Sequence, residues 1–410
     1  MAKHEDSLYI SGSEAAAIAR TNRKITKRLQ KQESRKNTPP EVYTTTMRDE
    51  NNVVEFDNLH SYFFTDIGIV RACNGVSFDI PRCSTVGVVG ESGCGKSVTS
   101  LSLMHLLQKP TGYSVGGEIR LNKGDGTAYN IIKTPVSEMQ NIRGSKISMI
   151  FQEPMTSLNP VFRIGEQVNE VIRLHNPEMS EADIKARTLE MIELVGIANG
   201  EGVYKMYPHE LSGGMRQRIM IAIALACNPE LIIADEPTTA LDVTIQAQIL
   251  DLLQELKTKI NSSIMLVTHD LGVVASMADY VVVMYAGRVV ERGTAKDIFH
   301  NPCHPYTVGL MRSKPVVGQK VDALYNIPGS VPNPVDMPNY CYFKDRCEMC
   351  VEGCSGEYPP MLKISDTHYV ACHRYMDVGE VQYYSRSLTA EDLLSDGEGN
   401  PVAEENLDDN

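Results

Sequence analysis

A glycine-rich run at residues 90–97, GESGCGKS, constrains this chain more than any other part of its sequence. A short β segment precedes the run at residues 85–89, and apolar residues at helical spacing follow it at 96–108. This order is the context of a phosphate-binding loop, because glycines let backbone N–H groups converge on phosphate oxygens at a helix N-terminus. The run, here called the phosphate loop, therefore predicts a nucleotide site. The predicted nucleotide-binding residues of the loop and its helix are Gly90, Glu91, Ser92, Gly93, Cys94, Gly95, Lys96, Ser97 and Thr99.

Two side chains of the loop and two acids further along the chain predict the chemistry of this site. Lys96 is expected to reach the β- and γ-phosphates, and the Ser97 hydroxyl is expected to bind Mg²⁺. A buried strand at residues 231–234 ends in Asp235 and Glu236, so both carboxylates emerge at the edge of the sheet where ligands bind. Asp235 is placed to hold Mg²⁺, directly or through water. Glu236 is the candidate general base for a water that attacks the γ-phosphate.

Alternating strand and helix patterns predict an α/β fold around these motifs. Short β segments are expected at residues 53–58, 76–80, 85–89, 231–234, 264–268 and 280–284. Helices are expected at residues 96–108, 245–257 and 271–278. From residue 301 to about 375 the chain is rich in proline and cysteine and shows little periodicity.

Three more pieces of sequence identify a family. Residues 211–218, LSGGMRQR, open a helix shortly before the Asp235 strand; His269 ends the next strand, and Gln152 lies in an FQEP run. Together with the two phosphate motifs, residues 53–300 resemble the nucleotide-binding subunit of ABC transporters. The resemblance implies a P-loop NTPase fold with a RecA-like core and a helical subdomain at about 151–212. Met215 stands where the commonest form of the family has glutamine.

The resemblance also implies roles for residues outside the phosphate loop. Two such domains would face each other head to tail, so that each ATP lies between one phosphate loop and the other domain's signature residues, Ser212, Gly213 and Gly214. Asp242 would line that interface. His269 would hold the γ-phosphate and the attacking water, and Gln152 would touch Mg²⁺ and signal to a transmembrane partner. Phe63, flanked by Tyr62 and Phe64, is the candidate for stacking on adenine.

Local sequence points to one branch of the family. Residues 151–160, 207–210 and 301–307 look like the oligopeptide/dipeptide importers, and residues 327–332 and the cysteine-rich end are similar to the C-terminal extension of that branch. This resemblance implies an ATP-hydrolysing subunit that powers peptide import. Its partners would be a second related ATPase, two permease subunits and an extracytoplasmic peptide-binding protein. Nickel importers share much of the pattern, and a soluble ABC ATPase that acts on nucleic acid or ribosomes is the rival from another class.

Five of the ten cysteines lie close together near the C-terminus. Clustered thiolates in a short, proline-rich stretch of an intracellular chain suggest metal or cluster ligation. Some relatives hold a 4Fe–4S cluster here, and the matching positions are Cys341, Cys347, Cys354 and Cys372, called below the cysteine group. The Cys347–Cys350 spacing keeps zinc open, and free thiols are the third alternative.

Net charge and hydropathy limit where this protein can be located and which partners it can bind. The net charge of −13 argues against broad nucleic-acid binding, which needs a large cationic footprint. The longest apolar run has nine residues and the N-terminus is polar, so the chain is expected to stay inside the cell, peripheral to the cytoplasmic face of a bacterial membrane.

The termini are expected to lie outside the ATPase domain. The predicted division is a polar, basic N-terminal extension at 1–50, an ATPase domain at 51–300, a cysteine-containing C-terminal region at 301–380 and an acidic disordered tail at 381–410. The basic extension is either a solvated, partly helical tail or a segment that touches anionic lipid or a partner.

Overall fold

A computed structural model describes residues 11–34, 38–152, 157–239, 242–313 and 325–395. The strands are β1 Thr44–Thr46, β2 Asn52–Thr65, β3 Gly68–Pro81, β4 Thr85–Val89, β5 Gly112–Asn122, β6 Thr127–Asn130, β7 Ile147–Ile150, β8 Leu231–Asp235, β9 Ser263–Val267, β10 Tyr280–Tyr285, β11 Arg288–Thr294, β12 Met361–Lys363, β13 Tyr369–Val370 and β14 Glu380–Tyr383. The helices are α1 Gly12–Glu33, α2 Pro40–Tyr43, α3 Lys96–Leu103, α4 Val136–Ile142, α5 Ile164–His175, α6 Glu181–Leu194, α7 Gly200–Tyr204, α8 Gly213–Leu225, α9 Val243–Ile260, α10 Leu271–Met277, α11 Ala295–His300, α12 Pro305–Arg312 and α13 Ala390–Leu394. Within these ranges no helix is both long enough and apolar enough to cross a bilayer.

Two sheets form the centre of the molecule. The larger sheet has the order β14-β12-β13-β11-β10-β4-β9-β8-β7, and its strands β10, β4, β9, β8 and β7 are parallel. Every residue of β4, β8 and β9 is buried, as expected for parallel strands that helices cover on both faces. The smaller sheet is antiparallel, in the order β1-β6-β5-β2-β3. The carboxyl ends of β4, β8 and β9 therefore lie side by side at one edge of the larger sheet.

The predicted strands are all present, and three predicted elements differ clearly in length. Strands β2 and β3 form a long hairpin with several register shifts, which the predicted segments at 53–58 and 76–80 cover only in part. The helix predicted at 96–108 ends at Leu103, and His105 follows with a φ of +53°. Arg143 stabilises this early end, because its guanidinium donates to the carbonyl oxygens of Met104 at 2.8 Å and His105 at 3.0 Å.

Helices α5, α6 and α7 lie within the range predicted for a helical subdomain. Val168 and Ile172 of α5 and Ile184 of α6 are buried together with Ala226, which follows α8. This small apolar cluster joins α5 and α6 to the end of α8, the helix that the signature residues open. These helices thus share a small core of their own.

The C-terminal segment, residues 301–395, packs onto the ATPase domain. Strand β13 pairs with β11, and Tyr342, Phe343, Tyr358 and Met361 are buried in the main core. An ion pair supports this junction, because Nε2 of His368 lies 2.8 Å from the buried Glu291 carboxylate. Burial opposes protonation of His368, but Cys303 and Glu291 outweigh it and raise its pKa to about 10. The segment therefore has more apolar packing than its sequence suggests.

The prediction of a disordered tail from residue 381 is wrong for residues 381–395. Strand β14 pairs with β12, and Leu393 of α13 is buried in a cluster with Ile25 of α1. Arg28 donates to the carbonyl oxygen of Leu393 at 2.8 Å, and Asn22 donates to that of Thr65 at 2.7 Å. The two terminal helices are thus docked on the small sheet and on each other, since each covers apolar surface of the other. Residues 1–10, 35–37 and 396–410 of the predicted terminal extensions lie outside the described residues.

Candidate nucleotide-binding site

The phosphate loop lies between the end of β4 and the start of α3, as predicted. Gly90, Gly93 and Gly95 have φ angles of +152°, +78° and +101°, a region that glycine adopts readily. A Cβ atom at Gly90 would overlap the carbonyl oxygen of Met284, and one at Gly95 would overlap that of Ala72. Both glycines are therefore required by close backbone packing as well as by their φ angles.

Lys96 is buried and folded back over the loop. Its Nζ donates to the carbonyl oxygens of Gly90 at 2.8 Å and Glu91 at 3.1 Å. The loop borders an open cavity of about 550 Å³. The cavity is lined by Ala72, Ser92, Gly93, Gly95, Lys96, Ser97, Val98, Gln152, Glu236 and His269. The tertiary fold thus brings predicted residues from four separate parts of the sequence to one cavity.

Asp235 and Ser97 form a candidate Mg²⁺ site next to the cavity. Ser97 donates its hydroxyl to Oδ1 of Asp235 at 3.1 Å. Burial raises the pKa of Asp235, and the hydrogen bond from Ser97 offsets this only in part. A divalent cation would compensate the buried carboxylate, and hard oxygen ligands suit Mg²⁺. The two side chains therefore fit the ion that the sequence predicts.

The Glu236 carboxylate is held by three donors. Gln152 Nε2 lies 2.8 Å and Thr239 Oγ1 2.9 Å from Oε2, while His269 Nδ1 lies 3.0 Å from Oε1. Burial raises the pKa of Glu236, but the hydrogen bonds from His269 and Thr239 outweigh it and hold the pKa below its ordinary value. Glu236 is therefore ionised at neutral pH, as a general base must be.

Several residues of the predicted nucleotide-binding set do not line the cavity, among them Gly90 and Glu91 of the phosphate loop. Cys94 is buried behind the loop, where burial raises its pKa, and Thr99 is buried with its hydroxyl donated to the Gly95 carbonyl at 3.0 Å. Both support the loop from inside. Phe63 packs its ring against Gly112, and its role in stacking on adenine stays a prediction.

The signature residues also lie outside this cavity. Ser212 caps α8 by accepting from the backbone N–H of Met215 at 3.3 Å, and both Ser212 and Gly213 are exposed. Asp242 is exposed and caps α9 through the N–H groups of Thr244 and Ile245. A Cβ atom at Gly214 would lie 3.2 Å from Ile245, so the two helices start side by side. These caps present free helix N-termini at a surface away from the chain's own phosphate loop.

Three residues at the site were missed by the sequence predictions. Thr239 lies three residues after Glu236, and its hydroxyl donates to the Glu236 carboxylate. A turn after strand β8 would bring two residues at this spacing together, so the sequence could have indicated the contact. Tyr306 and Arg346 come from the C-terminal segment and contact Glu91 of the phosphate loop. No motif in the sequence connects these two residues with a site more than 200 positions earlier.

The cysteine group gathers at one place in the C-terminal segment. Cys341, Cys354 and Cys372 are buried and Cys347 is half-buried. Burial and the neighbouring thiols raise the pKa of Cys341 to about 12 and that of Cys372 to about 11. Among the described residues, one set of three acid, histidine or cysteine ligand atoms lies within 4.8 Å of one another, and it comes from Glu291, Cys303 and His368. No three sulfurs of the cysteine group are therefore that close together.

Comparisons with known proteins place the chain in a family. The oligopeptide transport ATP-binding protein AppD of Bacillus subtilis (strain 168) is 49% identical over 330 residues, which cover 80% of this chain and 99% of AppD. The chain belongs to the ATP-binding proteins of ABC transporters. Within this ABC protein, the ABC transporter family model matches residues 73–239, and the model of the oligopeptide/dipeptide transporter C-terminal region matches residues 290–354.

Other relatives agree with this assignment. The dipeptide transport ATP-binding protein DppD of Lactococcus lactis subsp. cremoris is 50% identical over 320 residues, which cover 78% of this ABC protein and 90% of DppD. A solved dimeric ATP-binding cassette in a post-hydrolysis state, bound to ADP and Pi, superposes with a TM-score of 0.52 and 28% identity. It covers 59% of this chain, and the match spans 98% of the cassette. The predicted ABC family and the α/β cassette fold are confirmed.

Proposed function

We propose that this chain is the ATP-hydrolysing subunit that powers import of oligopeptides or dipeptides across a bacterial cytoplasmic membrane. The observation that carries the proposal is the single cavity in which Lys96, Ser97 and an ionised Glu236 meet. The match of residues 290–354 to an oligopeptide/dipeptide transporter region, together with relatives named for oligopeptide and dipeptide transport, supports peptides over nickel as cargo.

The residues of the cavity have separate roles in ATP hydrolysis. Lys96 leaves the carbonyl oxygens of the loop and binds the phosphates, where its charge is poorly solvated and acts strongly. Ser97 and Asp235 hold Mg²⁺, which when bound neutralises phosphate charge. Glu236 accepts the proton of the attacking water, and His269 orients that carboxylate from Oε1. Gln152, on the other oxygen, links the state of the site to the surface at Phe151.

A second cassette completes the site. Ser212 and Gly213 are exposed and Gly214 is half-buried at a helix N-terminus, which is suited to binding the γ-phosphate of an ATP held by another phosphate loop. Asp242 and the exposed Val243 lie beside them at the start of α9. The dimeric arrangement of the solved cassette supports this reading. The second cassette is a related ATPase subunit, so the pair is a heterodimer.

Exposed apolar residues near Gln152 offer a docking place for permease subunits. Phe151, Val161 and Phe162 are 40%, 72% and 51% exposed. Large apolar side chains at such exposure on one side of a domain mark an interaction surface. Two permeases bound there would hold the chain at the cytoplasmic face of the membrane, and an extracytoplasmic peptide-binding protein would deliver the cargo.

The test is reconstitution from the host cell. The tagged full chain, extracted in detergent, should retain two permease subunits and a second ATPase, and the complex in liposomes should hydrolyse ATP faster when a peptide-loaded binding protein is added. Stimulation by Ni²⁺ with its binding protein, and not by peptides, would assign nickel as cargo and contradict the peptide proposal. Hydrolysis stimulated by nucleic acid or ribosomes, with no permease retained, would contradict the transport proposal itself.

The cysteine group is proposed to hold a 4Fe–4S cluster with a structural role. Four thiols from three turns of the chain converge, and their mutual effect on pKa favours a cation between them. The four positions are those of the cluster ligands that the family resemblance implies, which favours a cluster over zinc.

Metal analysis tests the cluster. Protein purified without oxygen should contain iron and sulfide in equal, near fourfold amounts per chain. The Cys354→Ser variant should lose both, whereas the exposed Cys350→Ser variant should keep them, because Cys350 lies outside the group. One zinc per chain without iron or sulfide would reject the cluster. Protein that contains neither iron nor zinc would also reject it and would assign the cysteines as free thiols.

A further inference from the structure

We propose that Arg346 of the C-terminal segment holds and neutralises Glu91 of the phosphate loop, so that a charged Glu91 left without this partner weakens the binding of ATP. The inference rests on the proposed ATP site and assigns Arg346 as a positioning residue for it. Arg346 Nη1 lies 2.7 Å from Oε2 of Glu91 and Nη2 lies 3.0 Å from Oε1. Two parallel bonds of this kind fix direction as well as distance.

Arg346 is itself held firmly. Its side chain is 5% exposed, and Nε donates to the carbonyl oxygen of Pro328 at 3.0 Å. Nη1 also lies 3.3 Å from the hydroxyl of the buried Tyr285. These hydrogen bonds fix the position of the guanidinium, so it cannot move together with the phosphate loop. The C-terminal segment therefore holds the loop in place.

Glu91 is anchored at its backbone as well as at its carboxylate. Its N–H donates to the hydroxyl of Tyr306 at 2.8 Å, and its carbonyl oxygen accepts from Lys96. The bond to Tyr306 turns this N–H away from the cavity and sets the path of the chain between Gly90 and Ser92. Residue 91 is therefore attached at three points, two of them to residues beyond position 300.

The charges of Arg346 and Glu91 explain why the pair affects the affinity for ATP. Glu91 places a carboxylate, 29% exposed at its side chain, within the loop that must receive several phosphate charges. Like charges repel more strongly where solvent is partly excluded, so an unpaired carboxylate in this loop opposes the binding of phosphates. The guanidinium of Arg346 cancels the charge of Glu91, so that the positive charge of Lys96 is not offset.

The experiment is an equilibrium titration of the full chain with a fluorescent ATP analogue and Mg²⁺ at low salt. Arg346→Met keeps the aliphatic stem but leaves Glu91 unpaired, so the Kd should rise roughly tenfold. The double variant Arg346→Met/Glu91→Gln should recover most of that loss, because the repelling carboxylate is gone. Raising the salt to 1 M should shrink the defect of the single variant, since screening shortens the reach of the unpaired charge.

Matched variants separate this role from folding. Arg312→Met removes an exposed arginine of the same segment and should bind the analogue as the unsubstituted chain does. Arg346→Lys keeps the charge but loses the bidentate geometry, so its Kd should rise less than that of Arg346→Met. In steady-state assays Arg346→Met should raise KM for ATP and leave kcat nearly unchanged, the pattern of lost binding.

The outcomes distinguish the inference from the function on which it rests. Unchanged Kd in Arg346→Met would overturn the inference while the unsubstituted chain still bound ATP. A double variant as weak as the single one would overturn it too, since the loss would then not come from the charge of Glu91. Failure of the unsubstituted chain to bind the analogue would instead overturn the proposed ATP site. If Arg346→Met does not fold, Arg346→Lys decides, because tenfold weaker binding with the positive charge still present would contradict the scheme.

Discussion

Replacing Glu236 by glutamine is expected to leave ATP bound and to slow its hydrolysis by about 10²- to 10⁴-fold. Glutamine keeps the size of the side chain, but its amide has only one acceptor oxygen and cannot accept the proton of the attacking water. The structure supports the role, because the donors around Glu236 hold its pKa below the ordinary value and so keep it ionised. The measurement pairs phosphate release under steady-state conditions with an ATP titration of the same protein.

The control for this prediction is Glu255→Gln. Glu255 lies on an exposed part of α9, 3.9 Å from Lys259, so the same substitution there should change neither binding nor turnover. Normal steady-state hydrolysis by Glu236→Gln would contradict the assignment of Glu236 as the base. Loss of ATP binding in that variant would point to a role in holding the nucleotide instead.

Replacing Lys96 by alanine is expected to weaken ATP binding about a hundredfold, which corresponds to about 2.7 kcal/mol. The ammonium group is buried beside the phosphate loop and donates to two carbonyl oxygens that ATP would replace. Charged hydrogen bonds to phosphate oxygens are worth about 1.5–3 kcal/mol each, so the loss of one or two accounts for this size. The measurement is the dissociation constant from a direct titration, not turnover.

Lys185→Ala serves as the matched control. Lys185 lies on α6 and pairs at the surface with Glu201 at 3.0 Å, a contact of small energetic value. Thermal unfolding of both variants shows whether the loop substitution affects folding. An unchanged affinity of Lys96→Ala for ATP would contradict the role of Lys96, whatever its effect on hydrolysis.

Motifs with local rules were predictable from the sequence. The phosphate loop needs glycines at set positions after a buried strand, and Asp235 and Glu236 end another strand of the same sheet. Because the carboxyl ends of parallel strands meet at one edge, their meeting at the cavity follows from the fold class. Family membership followed from the order of these motifs, and the comparisons agree with it.

Contacts between distant segments were not predictable. The extended ends of β2 and β3, the docking of α13 on α1 and the early end of α3 depend on which surfaces meet. The acidic C-terminus shows the reason: charge and composition favour a solvated tail, yet β14 pairs with β12 and Leu393 is buried in a cluster with Ile25. Composition averages over a segment, whereas burial is decided residue by residue.

The sequence by itself indicated an ATP site and the family to which this chain belongs, and it predicted which residues bind Mg²⁺ and activate water there. Each of these inferences depends on short spacings along one strand, loop or helix. Only the tertiary structure decided what surrounds that site. Arg346 lies 255 residues from Glu91, and no spacing rule joins them; they meet because the C-terminal segment folds back across the large sheet. The ion pair of Arg346 and Glu91 therefore brings the C-terminal segment into direct contact with the phosphate loop.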